Sequence, residues 1–527
     1  MQLHPIDIAL FLAFFGVVIG VSMYKSRKEE TGEDFFLAGR GLFWPLIGLS
    51  LIAANISTEH FVAMSGQGAG IAGLAVASYE WIAAITLVFV ALFFLPKFLR
   101  SGIYTIPEYL EYRYNPAARA IMAFYTMVIY VSVTISAVIY TGALALHTIF
   151  DMEMIHAVLL IGGIAALYTT WGGLKAVAWA DLFQGSALII GGAITMVLGF
   201  RAVGGVGSFF EANNDKLHMI LDKNHPVLPW TALVVGLWIP NFYYWGLNQF
   251  ITQRALAAKT LRQGQLGVIF AAFLKLLIPF IIILPGIMAF QLFKEELTAP
   301  GATTDAAYPL LIRKLIPVGV RGFIFAAISG AVISSLASML NSASTIFTMD
   351  LYKRHWKKDA SPHSLVTIGR IMTLVFVVVG CIIAPQLGSE KFKGIFNYIQ
   401  EFQGFISPGI LAAFAFGLIF KLAPAAAGVT ALVLNPIIYG ILLIFFGDIA
   451  FFEKAGITIG KIAFLNRMAI TFVAIIVAMA ILTKLKPLPE PKVTPVREEF
   501  DMRPTPSVIW LGAAVIAVTI ALYIIFW

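Results

Sequence analysis

The sequence predicts an all-α membrane protein, a bundle of about fourteen helices that each cross a lipid bilayer, and two observations carry that expectation. Hydrophobic residues make up 60% of the 527 and charged residues only 12%, against roughly 25% charged in soluble domains, and the mean hydropathy is +0.88. Apolar runs long enough to span ~30 Å of hydrocarbon fall at 6–24, 43–70, 74–96, 120–150, 155–172, 176–200, 228–250, 264–292, 322–350, 364–386, 394–420, 423–446, 459–483 and 506–527. No polar stretch between them is long enough for a second core, so the chain reads as one integral bundle.

The first run follows Met1-Gln-Leu-His-Pro5, which lacks the basic region and small-residue cleavage site of a signal peptide, so this helix is expected to stay. The second is interrupted. In Leu51-Ile-Ala-Ala-Asn55-Ile-Ser57-Thr-Glu59-His60 five polar residues fall in the middle of the run, and polar groups at membrane depth survive only where they are buried in protein or line a wet cavity. The third carries Glu80. Asp181 lies near the start of the sixth, where an interfacial cap and a buried functional acid are both open readings.

The seventh run carries Asn241-Phe-Tyr243-Tyr244-Trp245-Gly246 and is read as a second interruption. Setting aside the first helix and the last three leaves ten, divisible into five and five, with an interrupted helix opening each half. Paired broken segments point to a midplane solute site in a transporter with inverted repeats. The second helix of each half then holds an ion, Glu80 in one and Lys275 in the other. These two either border a polar cavity or form a structural ion pair, because an intramembrane charge needs a partner.

In the ninth run Ser334, Ser335, Ser338, Asn341, Ser342, Ser344 and Thr345 cluster, with Ser334, Ser338 and Asn341 on one face. Hydroxyls in membrane helices commonly join helices to one another. Beside the free carbonyls of a broken helix they also suit a hard cation such as sodium, which takes oxygen ligands. Cys381, in the tenth run, is the single cysteine, so no disulfide forms within the chain.

The loops orient the bundle. One face carries 22 of the 36 basic residues, among them Arg27, Lys28, Arg40, Arg254 and Lys353, which marks it as cytoplasmic and, with an even number of spans, puts both termini outside. The net charge of +8 is then a matter of orientation, and nucleic-acid binding is a poor account of it. Glu59, Glu80 and His60 as acid/base groups would be the basis of an enzyme, but no metal-ligand spacing or nucleophile elbow accompanies them. A solute sensor would normally append a soluble signalling domain.

Several stretches in order, Asp34-Phe-Phe-Leu-Ala-Gly-Arg40, Ser50-Leu-Ile-Ala-Ala-Asn-Ile-Ser57, Tyr104-Thr-Ile-Pro-Glu108, Thr170-Trp-Gly-Gly-Leu-Lys-Ala176, Asn248-Gln249 with Gln253-Arg254, and Asn341-Ser-Ala-Ser-Thr-Ile-Phe-Thr-Met-Asp350, resemble the sodium:solute symporter family. The resemblance covers nearly the whole chain and is closest to the sodium/sugar branch typified by the bacterial sodium/galactose transporter. It implies a LeuT-type 5+5 inverted-repeat fold, with 1–42 as the first extra helix and loop, 43–205 and 206–421 as the two repeats, and 422–527 as three added helices. In function it implies sodium-coupled import of a hexose, galactose or glucose, through the cell membrane, with sodium co-transported. Myo-inositol, sialic acid or another organic acid is the alternative solute. Oligomeric state stays open.

Carried over by residue, the resemblance assigns the sugar to Asn55, His60, Glu80, Asn241, Tyr244, Trp245, Lys275, Gln400 and Gln403, the gates to Met64, Tyr79, Phe396 and Tyr244, and sodium to Ala53, Ile56, Ala331, Ser334 and Ser335. Asp181 and Ser338 are further positions on the sodium path. His60 stands where the bacterial galactose protein has Gln and animal glucose carriers have His, and Ala83 where that bacterial protein has Ser. A second sodium site in some relatives uses an Asp like Asp181 with several hydroxyls; here Ala337 interrupts that set, which favours one sodium per sugar.

Overall fold

A computed structural model describes residues 4–25, 37–150, 152–171, 174–388, 395–447, 461–497, 501–503 and 505–527. Asp34–Phe36, Gly172–Gly173, Arg27 and Lys28, used above, lie outside the described residues. Among those described the secondary structure is helical, apart from one β-bridge between Leu42 and Ala258.

Among the described residues ten helices are long and apolar enough to cross a membrane, or twelve if each of two bent pairs counts as one span. In chain order the elements are α1 (Pro5–Lys25), the bent pair α2 (Trp44–Asn55) and α3 (Glu59–Ala69), α4 (Gly73–Ser101), α5 (Pro116–Thr148), α6 (Met154–Trp171) and α7 (Leu174–Ala202). They continue as α8 (Trp238–Gly246), α9 (Gln249–Leu256), α10 (Leu261–Leu297), α11 (Val320–Trp356), α12 (Pro362–Leu387), the bent pair α13 (Ile395–Gln403) and α14 (Ser407–Ile419), α15 (Ala425–Phe446), α16 (Phe464–Leu485) and α17 (Pro506–Ile525). The two remaining runs of the fourteen are α6, a shorter apolar helix, and 228–250, which is not one helix.

The predicted break at Asn55–His60 is present. Helix α2 ends at Asn55, Ile56 turns to extended geometry (φ −77°, ψ 95°), and α3 leaves at 58°. Neither Gly nor Pro makes this break; Ser57 does, its hydroxyl accepting the Glu59 N–H at 3.1 Å and its carbonyl the His60 N–H at 3.0 Å. A Ser side chain that satisfies the first free N–H groups of a new helix is an N-cap, and it competes with continuation of the old one. The second break is displaced from its expected position. Asn241–Gly246 lies within the continuous helix α8, and the chain leaves helical geometry at Leu247 and Asn248 (φ −85°, ψ 122° at Asn248) before α9 begins. A third bend, of 43° between α13 and α14, was not visible as an interruption of the 394–420 run.

Helix α11 is the centre of the bundle, with 89% of its apolar window buried, whereas α1 and the last three helices have 17–22% buried. The outer helices expose large apolar side chains such as Leu12, Val477 and Trp510, as a lipid-facing surface requires. Close packing at the centre depends on small residues. A Cβ on Gly48 of α2 would lie 2.9 Å from the Gly267 carbonyl of α10, and one on Gly267 would meet Ile47 at 2.7 Å. With the two backbones in contact there, Asn55 and Lys275, about two turns further along each helix, come together.

Candidate functional site

A partly open cavity lies at the break between α2 and α3. The two half-helices α2 and α3 give it Asn55, Glu59, His60 and Met64, and α4 gives Tyr79 and Glu80. Helix α8 adds Asn241, Tyr244 and Trp245, and α13 adds Phe396, Gln400 and Gln403. Every residue expected from the sequence at the sugar and gate positions thus lines the cavity, with one exception. Lys275 is fully buried behind the wall, where its ammonium donates to the Glu80 carboxylate and to the Asn55 side-chain oxygen.

Lys275 therefore addresses the cavity through those two groups. Its Nζ also lies 4.8 Å from the Trp245 ring centroid, so a cation–π contact shares the charge. Pro279, one turn on, cannot donate to the Lys275 carbonyl, and Trp81 ties α4 to the same stretch by donating to the Leu276 carbonyl at 3.3 Å. Glu80 is held from the other side by His60, Nε2 to Oε1 at 3.5 Å. The paired-ion and cavity readings of Glu80 and Lys275 are hence both geometric facts of one cluster.

Asn55 is the node of this cluster. It accepts from Lys275 and donates to the Tyr244 hydroxyl at 2.9 Å, joining the end of α2 to α8. On the other side of the break, Tyr79 and Phe396 meet edge to face with ring centroids 4.9 Å apart, beside Met64. Aromatic contacts thus bound the cavity both before and after the break.

Of the expected sodium positions, Ala53 lies in the last turn of α2, Ile56 just after it, and Ala331, Ser334 and Ser335 on α11. Ending a helix frees its last carbonyls, and one of these, on Ala54, accepts from Ser335 at 3.1 Å. Ser334 points elsewhere: it donates to Asp181. Asp181 itself is no interfacial cap. It is completely buried on α7 and also accepts from Ser50 and from Arg254 Nη2, the latter at 3.0 Å. Arg254 completes the cluster with Nε to Ser50 Oγ at 2.7 Å and Nη2 to Ser338 Oγ at 2.5 Å. This corrects its assignment to a basic loop: it is fully buried on α9, and its charge belongs to Asp181. The signal for it in the sequence was Asp181 itself, an intramembrane acid that needs a counter-charge. Glu59 was missed as a cavity residue although it stands in the interrupted stretch; the neighbouring His60 drew the assignment.

Comparison with known proteins gives this geometry its context. The model of the sodium:solute symporter family matches residues 35–434. The chain belongs to that family. A sodium/glucose cotransporter of Vibrio parahaemolyticus is 44% identical over 443 residues, covering 79% of this chain and 81% of that protein. The sodium/myo-inositol cotransporter 2 of Oryctolagus cuniculus is 33% identical over 487 residues, covering 86% and 72% respectively. A solved Na+-coupled sialic acid symporter, substrate-bound and outward-open, superposes with a TM-score of 0.80 at 22% identity over 94% of this chain and all of that one. That last likeness is one of fold, and the fold is the all-α LeuT-type bundle expected from the sequence.

Proposed function

We propose that this family member is a sodium-coupled symporter that imports a hexose, galactose or glucose, across the cell membrane by alternating access, with one sodium per sugar and no chemistry done on the solute. One observation carries the reading: the break after α2 borders the polar cavity through Asn55 and meets the hydroxyl helix α11 through the Ala54 carbonyl and Ser335. A single movable element thus touches both cargo sites. The likeness to a sodium/glucose cotransporter supports sugar as the solute; the likeness to a sodium/myo-inositol cotransporter supports a cyclitol as the second reading.

In this mechanism sodium is held by the carbonyls of Ala53, Ile56 and Ala331 and the hydroxyls of Ser334 and Ser335. The Ser335 contact to the Ala54 carbonyl supports this position, while Ser334 would have to turn from Asp181 to take part. Binding clamps α2 to α11 and raises the population of the state that accepts sugar, and the coupling is reciprocal. Asn55, His60, Glu80, Asn241, Gln400 and Gln403 then bond sugar hydroxyls, Tyr244 and Trp245 stack on the ring, and Lys275 orients Asn55 and Glu80. Met64, Tyr79 and Phe396 gate one side, Tyr244 the other, while repeats 43–205 and 206–421 rock against each other. Arg254 already neutralises Asp181, which supports a single sodium. The driving energy includes about 2.3 kcal/mol per charge per 100 mV of membrane potential.

The test is uptake of labelled galactose, glucose and myo-inositol into proteoliposomes with sodium, lithium or potassium outside. Hexose accumulation in sodium well above that in potassium is expected. Equal uptake in potassium would refute the coupling, and myo-inositol uptake alone would move the substrate to the second reading.

A further inference from the structure

The cavity contains a second carboxylate, Glu59, that the assignments above do not use. Glu80 is committed on both oxygens, to His60 and to Lys275. Glu59 is not: its Oε2 is buried with no hydrogen-bond partner among the described residues. Its backbone is anchored by Ser57 at the start of α3, which sends the side chain into the cavity wall beside His60 and Tyr244. The ammonium nearest the cavity, Lys275, is paired with Glu80, and no other cation is among the described residues that line the cavity with Glu59.

A buried carboxyl without a charged partner resists ionisation, and hydrogen-bond donors brought by a solute favour its ionised, purely accepting form. A solute offering hydroxyl or ammonium donors compensates Glu59. A solute bringing a carboxylate adds a negative charge where no cation among the described lining residues is free to meet it. From this geometry we infer that Glu59 sets the charge of the accepted solute. The site takes neutral and cationic polyols, amino sugars with a protonated amine included, and rejects acidic sugars. The inference rests on the proposed sugar site and narrows its solute class.

The test reads binding separately from transport. Thermal stabilisation of the purified full chain in sodium is titrated with glucose, 2-deoxyglucose, protonated glucosamine and glucuronate, for the wild type and Glu59→Gln. In the wild type glucosamine is expected to bind at least as well as 2-deoxyglucose, which lacks the same hydroxyl without adding charge, and glucuronate to bind about tenfold or more weaker than glucose. In Glu59→Gln the glucosamine-to-glucose affinity ratio is expected to fall about tenfold. Glucuronate binding as tightly as glucose in the wild type, or an unchanged ratio in the variant, would overturn the inference. The wild-type order stands even where the variant does not fold. A failure of hexose accumulation in sodium, read by uptake, would instead count against the proposed transport.

Discussion

Asn55 shows how much rests on one side chain at the end of a helix. It receives the Lys275 ammonium and passes a hydrogen bond to Tyr244, so the charge that orients the cavity and the aromatic that bounds it are connected through a single amide. Lys275 is the more exposed to mutation in energetic terms, because Lys275→Ala leaves Glu80 charged and buried. Breaking a buried pair from one side costs about 3–5 kcal/mol, whereas Lys275→Met with Glu80→Gln removes both charges. We expect the single variant to lose both thermal stability and sugar uptake, and the double variant to regain much of the stability without the uptake. Equal stability of Lys275→Ala and wild type in thermal unfolding would show that the pair carries no such load. The pairing of Glu80 with Lys275 was one of two readings open in the sequence, since an intramembrane charge needs a partner. Glu59 and Arg254 were not legible there: one sits in a stretch already rich in polar groups, and the other looks like a loop cation until Asp181 is found against it.

At the scale of elements, the breaks decide what each helix contributes. The end of α2 came from a visible cause, a polar cluster in an apolar run, and Ser57 supplies the cap. The break after α8 lies at Leu247 and Asn248, beyond the polar stretch that suggested it, because Asn241 satisfies its side chain by donating to the Leu237 carbonyl at 3.0 Å and leaves the helix intact. Polarity marks the cavity wall, and only the backbone bonds mark where a helix stops. The elements are then joined by Arg254, Asp181, Ser50, Ser334 and Ser338, which bring α9, α7, α2 and α11 to one buried point. Arg254→Leu strands the Asp181 carboxylate and is expected to destabilise by about 3–5 kcal/mol, with Asp181→Asn added to it restoring part of the loss. A double-mutant cycle on thermal stability checks this; additivity of the two changes would mean that the residues do not act as a pair.

For the whole molecule, the gradient from the buried α11 to the lipid-exposed α1, α15, α16 and α17 places the cavity elements inside and the added helices outside. Removing Arg254 from the basic-loop tally leaves the excess on the same face, so both termini are still expected outside the cell. His4→Cys and Trp527→Cys should each react with a membrane-impermeant maleimide on intact cells, beyond the background of the half-buried Cys381; protection of either would reverse the orientation. Composition and run length by themselves determined that the chain is a helical membrane bundle, because the bilayer admits few alternatives for so apolar a polypeptide. The quoted motifs added the family, and the polar outliers added most of the cavity. Only the tertiary structure decided that Lys275 stands behind Asn55 and Glu80, that Arg254 belongs to Asp181, and that the Glu59 Oε2 has no partner among the described residues. Those facts depend on which helices approach which, and hydropathy reports how far a residue is from water, not which neighbour it finds there.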